Sequence, residues 1–251
     1  MKRIFILIFV FLVSFQITCH CARFSFAVLG DNRDGDQSFK DIIKNINKDK
    51  DIKFVVNTGD LTTHGWASEY DKYWQMCSAC RVKIYDAIGN HDLGSFNTGV
   101  NIFKKKYGET YYYFDNEGSR FIILDNARSR GMGRKQFVWL KDVLDTKKTK
   151  FVFIHKPIFD PTGTYPNYVM TPKDENEALN KLFLREEVRY VFGGHIHGYG
   201  REERDGLIYI LTAGAGAPLY LPAFEGGFYH YVKVTVDGSK IYDKVVRIYN
   251  D

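Results

Sequence analysis

The chain is poor in cysteine and carries little net charge. It has four cysteines in 251 residues and a formal net charge of +5. Two of the cysteines, Cys19 and Cys21, lie close to the N-terminus, which leaves Cys77 and Cys80 for the remainder. A cysteine-rich disulfide scaffold and a four-cysteine zinc cage are therefore excluded, because one C-x-x-C pair cannot build either. The small charge does not indicate a nucleic-acid partner.

The sequence also lacks an apolar run long enough to cross a bilayer comfortably. The run over residues 4–13 follows Lys2 and Arg3 and gives way to polar and small residues. That arrangement is typical of a secretory signal, and the run is shorter than the ~20 residues of a membrane span. We predict a signal peptide over residues 1–22 and export to the periplasm or the medium. Lipid attachment at Cys19 or Cys21 is a weakly supported alternative.

Cys77 and Cys80 have several interpretations. In an oxidising compartment they would form a small disulfide, and the simplest alternative is that both pack as core residues. A redox pair and half of a zinc site are further possibilities. The sequence favours a disulfide or plain core packing.

No repeat, low-complexity segment or linker interrupts residues 23–251, which indicates one domain. Apolar runs alternate with segments of helical spacing, and short strand-like runs dominate after residue 201. This order predicts α/β units that lead into antiparallel β-structure. The predicted strands cover residues 23–29, 54–57, 83–88, 111–114, 120–124, 151–154, 190–192, 207–212, 229–236 and 241–248. The predicted helices cover residues 37–49, 68–77, 133–144 and 175–187.

Five of the predicted strands end in short polar motifs. The segments read FAVLGDNR, FVVNTGD, IYDAIGNHD, FVFIHKP and YVFGGHIH. Ligands of open α/β sheets bind beyond the carboxyl ends of the strands, and carboxylate, amide and imidazole groups suit Mn, Fe or Zn. Each motif alone is typical of a turn, a cap or a structural histidine. Together they indicate a site where two divalent ions could activate water for displacement at phosphorus.

The order of these motifs resembles that of the calcineurin-like metallophosphoesterase superfamily. The family pattern is Asp-x-His, Gly-Asp-x-x, Gly-Asn-His-Asp/Glu, a lone His and Gly-His-x-His. The chain has D-N-R at 31–33, G-D-L-T at 59–62, G-N-H-D at 89–92, His155 and G-H-I-H at 194–197. The resemblance covers about residues 24–236. It implies an α/β fold, a four-layer α/β/β/α sandwich of two mixed β-sheets flanked by helices.

The resemblance also implies a role for each matching residue. Asp60 would bridge two divalent metal ions (Mn, Fe or Zn), with Asp31 and His197 on the first ion and the other ligands on the second. His91 would donate to the phosphate or protonate the leaving oxygen. The implied activity is hydrolysis of a small phosphate mono- or diester by a metal-bound hydroxide. The positions that match metal ligands are Asp31, Asp60, Asn90, His155, His195 and His197.

Arg33 departs from the family pattern, because a histidine ligand of the first ion usually stands there. A guanidinium has no lone pair to offer a cation, but it suits a pair of phosphate oxygens. We therefore predict that Arg33 grips the substrate phosphate. His64 is an alternative ligand for the weakened first site. A single-metal enzyme and a catalytically weak or inactive binder of phosphorylated ligands remain alternatives.

Thr63 is the second departure. The serine/threonine protein phosphatases of the family carry an aspartate there that orients the catalytic histidine, so its absence argues against that branch. The sequence does not show what orients His91. The loops over residues 126–134 and 159–172, the second with Tyr165 and Tyr168, are candidate substrate walls, although ordinary surface loops are the simpler interpretation. Asp125 and Asn126 end another predicted strand and are candidates to support the pocket.

Overall fold

A computed structural model describes residues 23–170 and 172–249. The predicted signal peptide, residues 1–22, lies outside the described residues. Within the described part, no helix has the length and apolar character that a membrane span needs. The helices are α1 (Asp36–Lys48), α2 (Ala67–Cys77), α3 (Thr98–Tyr107), α4 (Arg134–Leu144) and α5 (Lys173–Arg185). The strands are β1 (Phe24–Leu29), β2 (Ile52–Asn57), β3 (Lys83–Asp86), β4 (Tyr112–Asn116), β5 (Ser119–Ile123), β6 (Thr149–Phe153), β7 (Val188–Gly193), β8 (Tyr199–Arg204), β9 (Leu207–Thr212), β10 (His230–Asp237) and β11 (Lys240–Arg247).

The strands form two mixed sheets. The first has the order β11-β10-β1-β2-β3, and the second has the order β4-β5-β6-β7-β9-β8. In the first sheet β1, β2 and β3 are parallel, and β10 pairs with β1 in the antiparallel sense. In the second sheet β5, β6, β7 and β9 are parallel. The strands that precede the polar motifs therefore belong to the parallel part of each sheet.

The two sheets pack face to face through an aromatic core. Alternate residues of β1 point to this interface, because side chains of a strand alternate between its two faces. Phe26 makes ring contacts with residues of both sheets, including Phe54, Phe121 and Phe151 at centroid distances of 5.4, 5.1 and 5.2 Å. All four rings are buried. The high aromatic content of the sequence is thus explained in large part by strand packing.

Helices cover the outer face of each sheet. In α1, Phe39, Ile42, Ile43 and Ile46 are buried, which is the spacing of one helical face. They belong to a core that includes residues of α2 and α3, whereas α4 and α5 contribute to a separate core on the second sheet. The chain is therefore a four-layer α/β/β/α sandwich of two mixed sheets, which confirms the predicted fold class.

The cysteine pair lies at the end of α2. Cys77 and Cys80 are free thiols in the structure and pack partly buried against the core on the first sheet. Of the two predicted arrangements, a disulfide or core packing, the structure shows core packing. Burial raises the pKa of the Cys77 thiol, so the thiol stays neutral.

Candidate metal centre

The polar motifs of both sheets meet at the carboxyl ends of their strands. Asp31 and Asp60 follow β1 and β2 of the first sheet, and His155 and His197 follow β6 and β7 of the second. The His155 Nε2 atom lies 3.3 Å from Asp60 Oδ1, and His197 Nε2 lies 3.4 Å from Asp31 Oδ1. His155 Nε2 is also 3.0 Å from the Oδ1 atom of Asn90. The site therefore spans the interface between the sheets.

Two groups of side chains in this site have the geometry of metal ligands. The first consists of Asp31, Asp60 and His197, and the second of Asp60, His155 and His195. Within each group the ligand atoms lie within 4.8 Å of one another. Asp60 belongs to both groups, which is the position expected of a carboxylate that two ions share. The six predicted ligand residues thus come together, with Asn90 beside the second group.

Three of these residues have backbone conformations that side chains rarely adopt. The φ angles of Asp31, Asp60 and His195 are 59, 56 and 71°. Left-handed conformations cost about 1–3 kcal/mol for residues other than glycine and collect at functional sites. Neighbouring glycines make room for them: a Cβ atom on Gly194 would lie 2.5 Å from Asp31 Oδ2, and one on Gly89 would lie 2.2 Å from Asp60 Oδ1. The loops are shaped around the two carboxylates.

Backbone carbonyls orient the ligand histidines. Nδ1 of His155 lies 3.1 Å from the Thr58 carbonyl oxygen, and Nδ1 of His197 lies 2.7 Å from the carbonyl oxygen of Pro218. If each Nδ1–H donates to its carbonyl, the lone pair of Nε2 is left facing the site. Such hydrogen bonds set the tautomer and the ring orientation of metal-binding histidines. This arrangement therefore favours a role as ligands.

A backbone carbonyl also orients His91. Its Nδ1 atom lies 2.8 Å from the Thr63 carbonyl oxygen, and its Nε2 atom lies 4.0 Å from Asp60 Oδ2. The His91 amide donates to Asp60 Oδ1 at 2.9 Å. The side chain is 35% exposed, so Nε2 is accessible to a substrate. The orienting group that the sequence left open is thus the main chain of residue 63, and no side chain type signals it.

Arg33 reaches into the same site. Its Nε atom lies 3.5 Å from Asp60 Oδ2, and its Nη1 atom donates to Asp34 at 2.6 Å. Asp34 in turn accepts a hydrogen bond from the Thr63 hydroxyl. Within residues 23–170 and 172–249, the buried Nε atom has no hydrogen-bond acceptor. A guanidinium that is held on one side and unsatisfied on the other is suited to an anion entering the site.

His64 does not reach the ligands. Its side chain is 54% exposed, lies 2.9 Å from Glu69 and stacks on Trp66 at a centroid distance of 4.4 Å. The alternative in which His64 completes the first ion's ligands is therefore wrong for this structure. Glu69 and Trp66 instead hold the His64 ring at the surface.

The electrostatics of the site call for additional positive charge. Burial, followed by the charge of Asp31, raises the pKa of Asp60 to about 7. Burial also pushes the pKa of Asp31 upward, but the hydrogen bond from His197 and nearby histidine charges outweigh it and lower that pKa. Burial lowers the pKa of His155 and brings that of His195 to about 3. The neutral imidazoles of His155 and His195 beside two crowded carboxylates fit divalent cations, because cations would let both carboxylates ionise. Burial lowers the pKa of His197, but the hydrogen bond to Asp31 outweighs it and raises that pKa, so a cation bound there would take the place of a proton.

Asp92 joins two of the ligand loops, a role that the sequence did not reveal. Its carboxylate accepts hydrogen bonds from the amides of Gly89 and Leu61 at 2.8 and 3.2 Å. It also accepts from the amide and the hydroxyl of Thr62 at 2.9 and 2.8 Å. The last residue of the G-N-H-D motif therefore positions Asn90 and His91 relative to Asp60 rather than touching the site itself.

Asn126 supports the pocket from the second sheet. Its side-chain oxygen accepts from the amides of His155 and Lys156 at 2.9 and 3.1 Å. This agrees with the supporting role predicted from its place at the end of a strand. In the neighbouring loop, Arg128 contacts Asp125 and Asn97 at 3.2 Å, so its guanidinium is engaged away from the ligands.

Comparisons with known proteins match the chain to a protein family. A family model described as calcineurin-like phosphoesterase matches residues 24–199. Purple acid phosphatase 21 of Arabidopsis thaliana is 28% identical over 226 residues, which cover 80% of this chain and 49% of that protein. A second Arabidopsis thaliana relative, described as probable inactive purple acid phosphatase 24, is 27% identical over 231 residues, 73% of this chain and 36% of its own length.

The fold is also similar to that of solved structures. A purple acid phosphatase from yellow lupin (Lupinus luteus) seeds superimposes with a TM-score of 0.75 at 19% sequence identity. The superposition covers 90% of this chain and 52% of the lupin chain. The chain thus spans about a third to a half of the length of the curated relatives described above.

Proposed function

Because this chain belongs to the calcineurin-like phosphoesterase family, we propose that it hydrolyses a phosphate monoester or diester with two divalent metal ions. The observation that carries the proposal is the pair of ligand groups that share Asp60. Asp31 and His197 would complete the first group, and His155, His195 and Asn90 the second. The bound ions would supply Lewis acidity, which lowers the pKa of water and neutralises charge on the phosphoryl oxygens.

The remaining site residues would act on the substrate itself. Arg33 would donate to phosphate oxygens from its guanidinium, whose buried Nε atom lacks a hydrogen-bond acceptor among the described residues. His91, held through Nδ1 by Thr63, would present Nε2 to the leaving oxygen. When the bond between phosphorus and that oxygen breaks, the oxygen must take up a proton, and an oriented imidazole can deliver it. Water supplies the oxygen that replaces the leaving group.

The place of action and the substrate size are also proposals. The features of residues 1–22 support export to the periplasm or the medium. The small formal charge of +5 favours a small phosphorylated substrate over a nucleic acid.

A second candidate is an inactive binder of phosphorylated ligands, and Arg33 is the observation that favours it. The guanidinium lies 3.5 Å from Asp60 Oδ2. It therefore competes with a cation for that oxygen and weakens the binding of the first ion. One of the relatives carries the description "probable inactive". In this alternative the site would hold phosphate without turning it over.

Metal analysis combined with an activity panel separates the two candidates. The full chain would be loaded with Mn, Fe or Zn and assayed on phosphate mono- and diesters, with elemental analysis of the same samples. Two bound ions and turnover that His91→Ala abolishes support the esterase. Bound phosphate without turnover of any ester, in samples of known metal content, supports the binder and refutes the hydrolysis.

A further inference from the structure

A group of three tyrosines lies beside the ligand histidines, and the mechanism above does not use it. We define the tyrosine cluster as Tyr165, Tyr168 and Tyr220. The ring of Tyr220 stacks on His197 at a centroid distance of 4.1 Å, and the ring of Tyr168 lies 6.2 Å from that of His195. The three rings lie 5.4 to 6.0 Å from one another. The cluster therefore forms one wall of the metal centre.

Two rings of the cluster are exposed, unlike most of the described aromatic residues, and Tyr165 is half-buried. Tyr168 is 46% exposed and Tyr220 is 38% exposed, whereas the phenylalanines between the sheets are buried. Core packing therefore explains the abundance of aromatics but not these rings. Exposed aromatic residues that are grouped beside a polar site are typical of ligand contacts.

Hydrogen bonds hold the loop of the cluster in place. Asp160 accepts from the amide and the hydroxyl of Thr162 and from the amide of Tyr165, at 2.8, 2.7 and 2.6 Å. The Tyr165 hydroxyl donates to the carbonyl oxygen of Tyr220 at 3.1 Å, which joins two loops. A surface that is already ordered loses little entropy when a ligand binds. The wall is therefore preorganised for binding.

We propose that the tyrosine cluster is a stacking subsite for a planar aromatic ring in the leaving group of the ester. The rings of Tyr165 and Tyr168 are inclined by 72°, and those of Tyr168 and Tyr220 by 70°. A planar ring can stack on one of them and meet the edge of another, which are the two favourable arrangements of aromatic pairs. This inference rests on the proposed hydrolysis and names its substrate class: aryl or nucleoside phosphates.

Aromatic rings also attract quaternary ammonium groups, so the leaving group bound by the cluster could in principle be either a planar ring or a cation. The charge of the site distinguishes between these two. The cluster lies against His195 and His197, both of which belong to the proposed ligand set. Two divalent ions held by these histidines would repel a cationic leaving group. A neutral planar ring meets no such repulsion, so it is the ligand that the site favours.

Substitution of Tyr168 tests the subsite by turnover. Phenyl phosphate, AMP and glycerol phosphate would be assayed with the metal-loaded full chain, Tyr168→Ala and Tyr168→Phe. Tyr242→Ala is the matched control, because Tyr242 is 55% exposed and lies in β11 at the edge of the first sheet. In Tyr168→Ala we expect the kcat/KM ratio of phenyl to glycerol phosphate to fall about tenfold, the worth of one stacking contact. Tyr168→Phe and Tyr242→Ala should keep the wild-type ratio.

The comparison of AMP with phenyl phosphate identifies the source of the ring. If Tyr168→Ala lowers kcat/KM more for AMP than for phenyl phosphate, the ring that binds is a nucleobase. If it lowers kcat/KM more for phenyl phosphate, the ring is an aryl group next to the ester oxygen. Both results support the subsite. Phosphocholine would be assayed as a fourth ester. A loss of kcat/KM that is specific to phosphocholine overturns the subsite, since the cluster would then bind a cation.

Binding measurements separate the subsite from the hydrolysis. Phenylphosphonate and ethylphosphonate cannot be hydrolysed in the same way, and calorimetry would compare their Kd values in the wild type and in Tyr168→Ala. A preference for phenylphosphonate that Tyr168→Ala removes supports the subsite even if no ester is turned over, in which case the proposed hydrolysis alone fails. No preference in the wild type, or a preference that Tyr168→Ala leaves intact, overturns the subsite.

Discussion

The carboxylate of Asp86 provides a test of how burial controls the stability of this fold. Asp86 ends β3, five residues before His91, and is 2% exposed. Its carboxylate accepts hydrogen bonds from the hydroxyls of Tyr73 and Tyr107. Burial nevertheless raises its pKa from 3.8 to about 6, since those hydrogen bonds and the charge of Lys106 only partly offset the loss of solvation.

The raised pKa determines the sign of the pH dependence. Between pH 4 and pH 6 the folded protein binds more protons at Asp86 than the unfolded chain does, so the free energy of unfolding falls as the pH rises through that window. A shift from 3.8 to about 6 corresponds to about 3 kcal/mol, at 1.36 kcal/mol for each pKa unit. Asp86→Asn removes this dependence, because the amide is neutral at every pH and keeps a carbonyl oxygen for one tyrosine.

Urea denaturation of the wild type and Asp86→Asn at several pH values from 4 to 7.5 measures the effect. We expect the free energy of unfolding of the variant, relative to that of the wild type, to rise by about 3 kcal/mol between pH 4 and pH 7.5. Asp115→Asn is a control of opposite sign, because the hydrogen bond from Arg120 lowers the pKa of Asp115 to about 2. Its stabilising contribution is present above pH 4 and is lost as the pH falls toward 2, so this control needs a second urea series from pH 4 down to pH 2. A difference between wild type and Asp86→Asn that does not vary with pH would refute the reasoning.

Three further predictions concern the metal centre. Arg33→His should raise the affinity for the first ion and weaken phosphate binding, each about tenfold, because it exchanges a phosphate donor for a metal ligand. Unchanged metal content and unchanged turnover would show that residue 33 neither affects metal binding nor binds the substrate phosphate. His91→Ala should lower kcat by about 10²–10⁴ while elemental analysis finds the same metal content, and a loss of metal would contradict its role on the substrate. Gly194→Ala should reduce metal binding and lower Tm, because the new Cβ would lie 2.5 Å from Asp31 Oδ2; wild-type metal content by elemental analysis would show that the loop tolerates it.

The strand boundaries and the site motifs were largely predictable, and the exceptions have physical reasons. The strands β4 and β5, which were both predicted, pair in the antiparallel sense, because the turn between them is too short for a parallel crossover. The helix α3 and the strand β8 were missed: β8 reads YGREER, with few apolar residues to mark it. The position of β10 beside β1 could not be foreseen, because it pairs residues more than 200 positions apart, such as Phe24 with Val236.

The sequence by itself determined the fold class and the chemistry of the centre. Periodic apolar runs mark buried strands and helices, and ligand residue types at the strand ends define which ions the centre can hold. Only the tertiary structure decided which groups orient the site residues and which residues line the site. Three contacts join segments that are distant in sequence: the Thr63 carbonyl that orients His91, the approach of Arg33 to Asp60, and the wall formed by Tyr165, Tyr168 and Tyr220. Main-chain acceptors and ring contacts of this kind are set by how loops pack, and most residue types could supply a carbonyl, so no local pattern in the sequence records them.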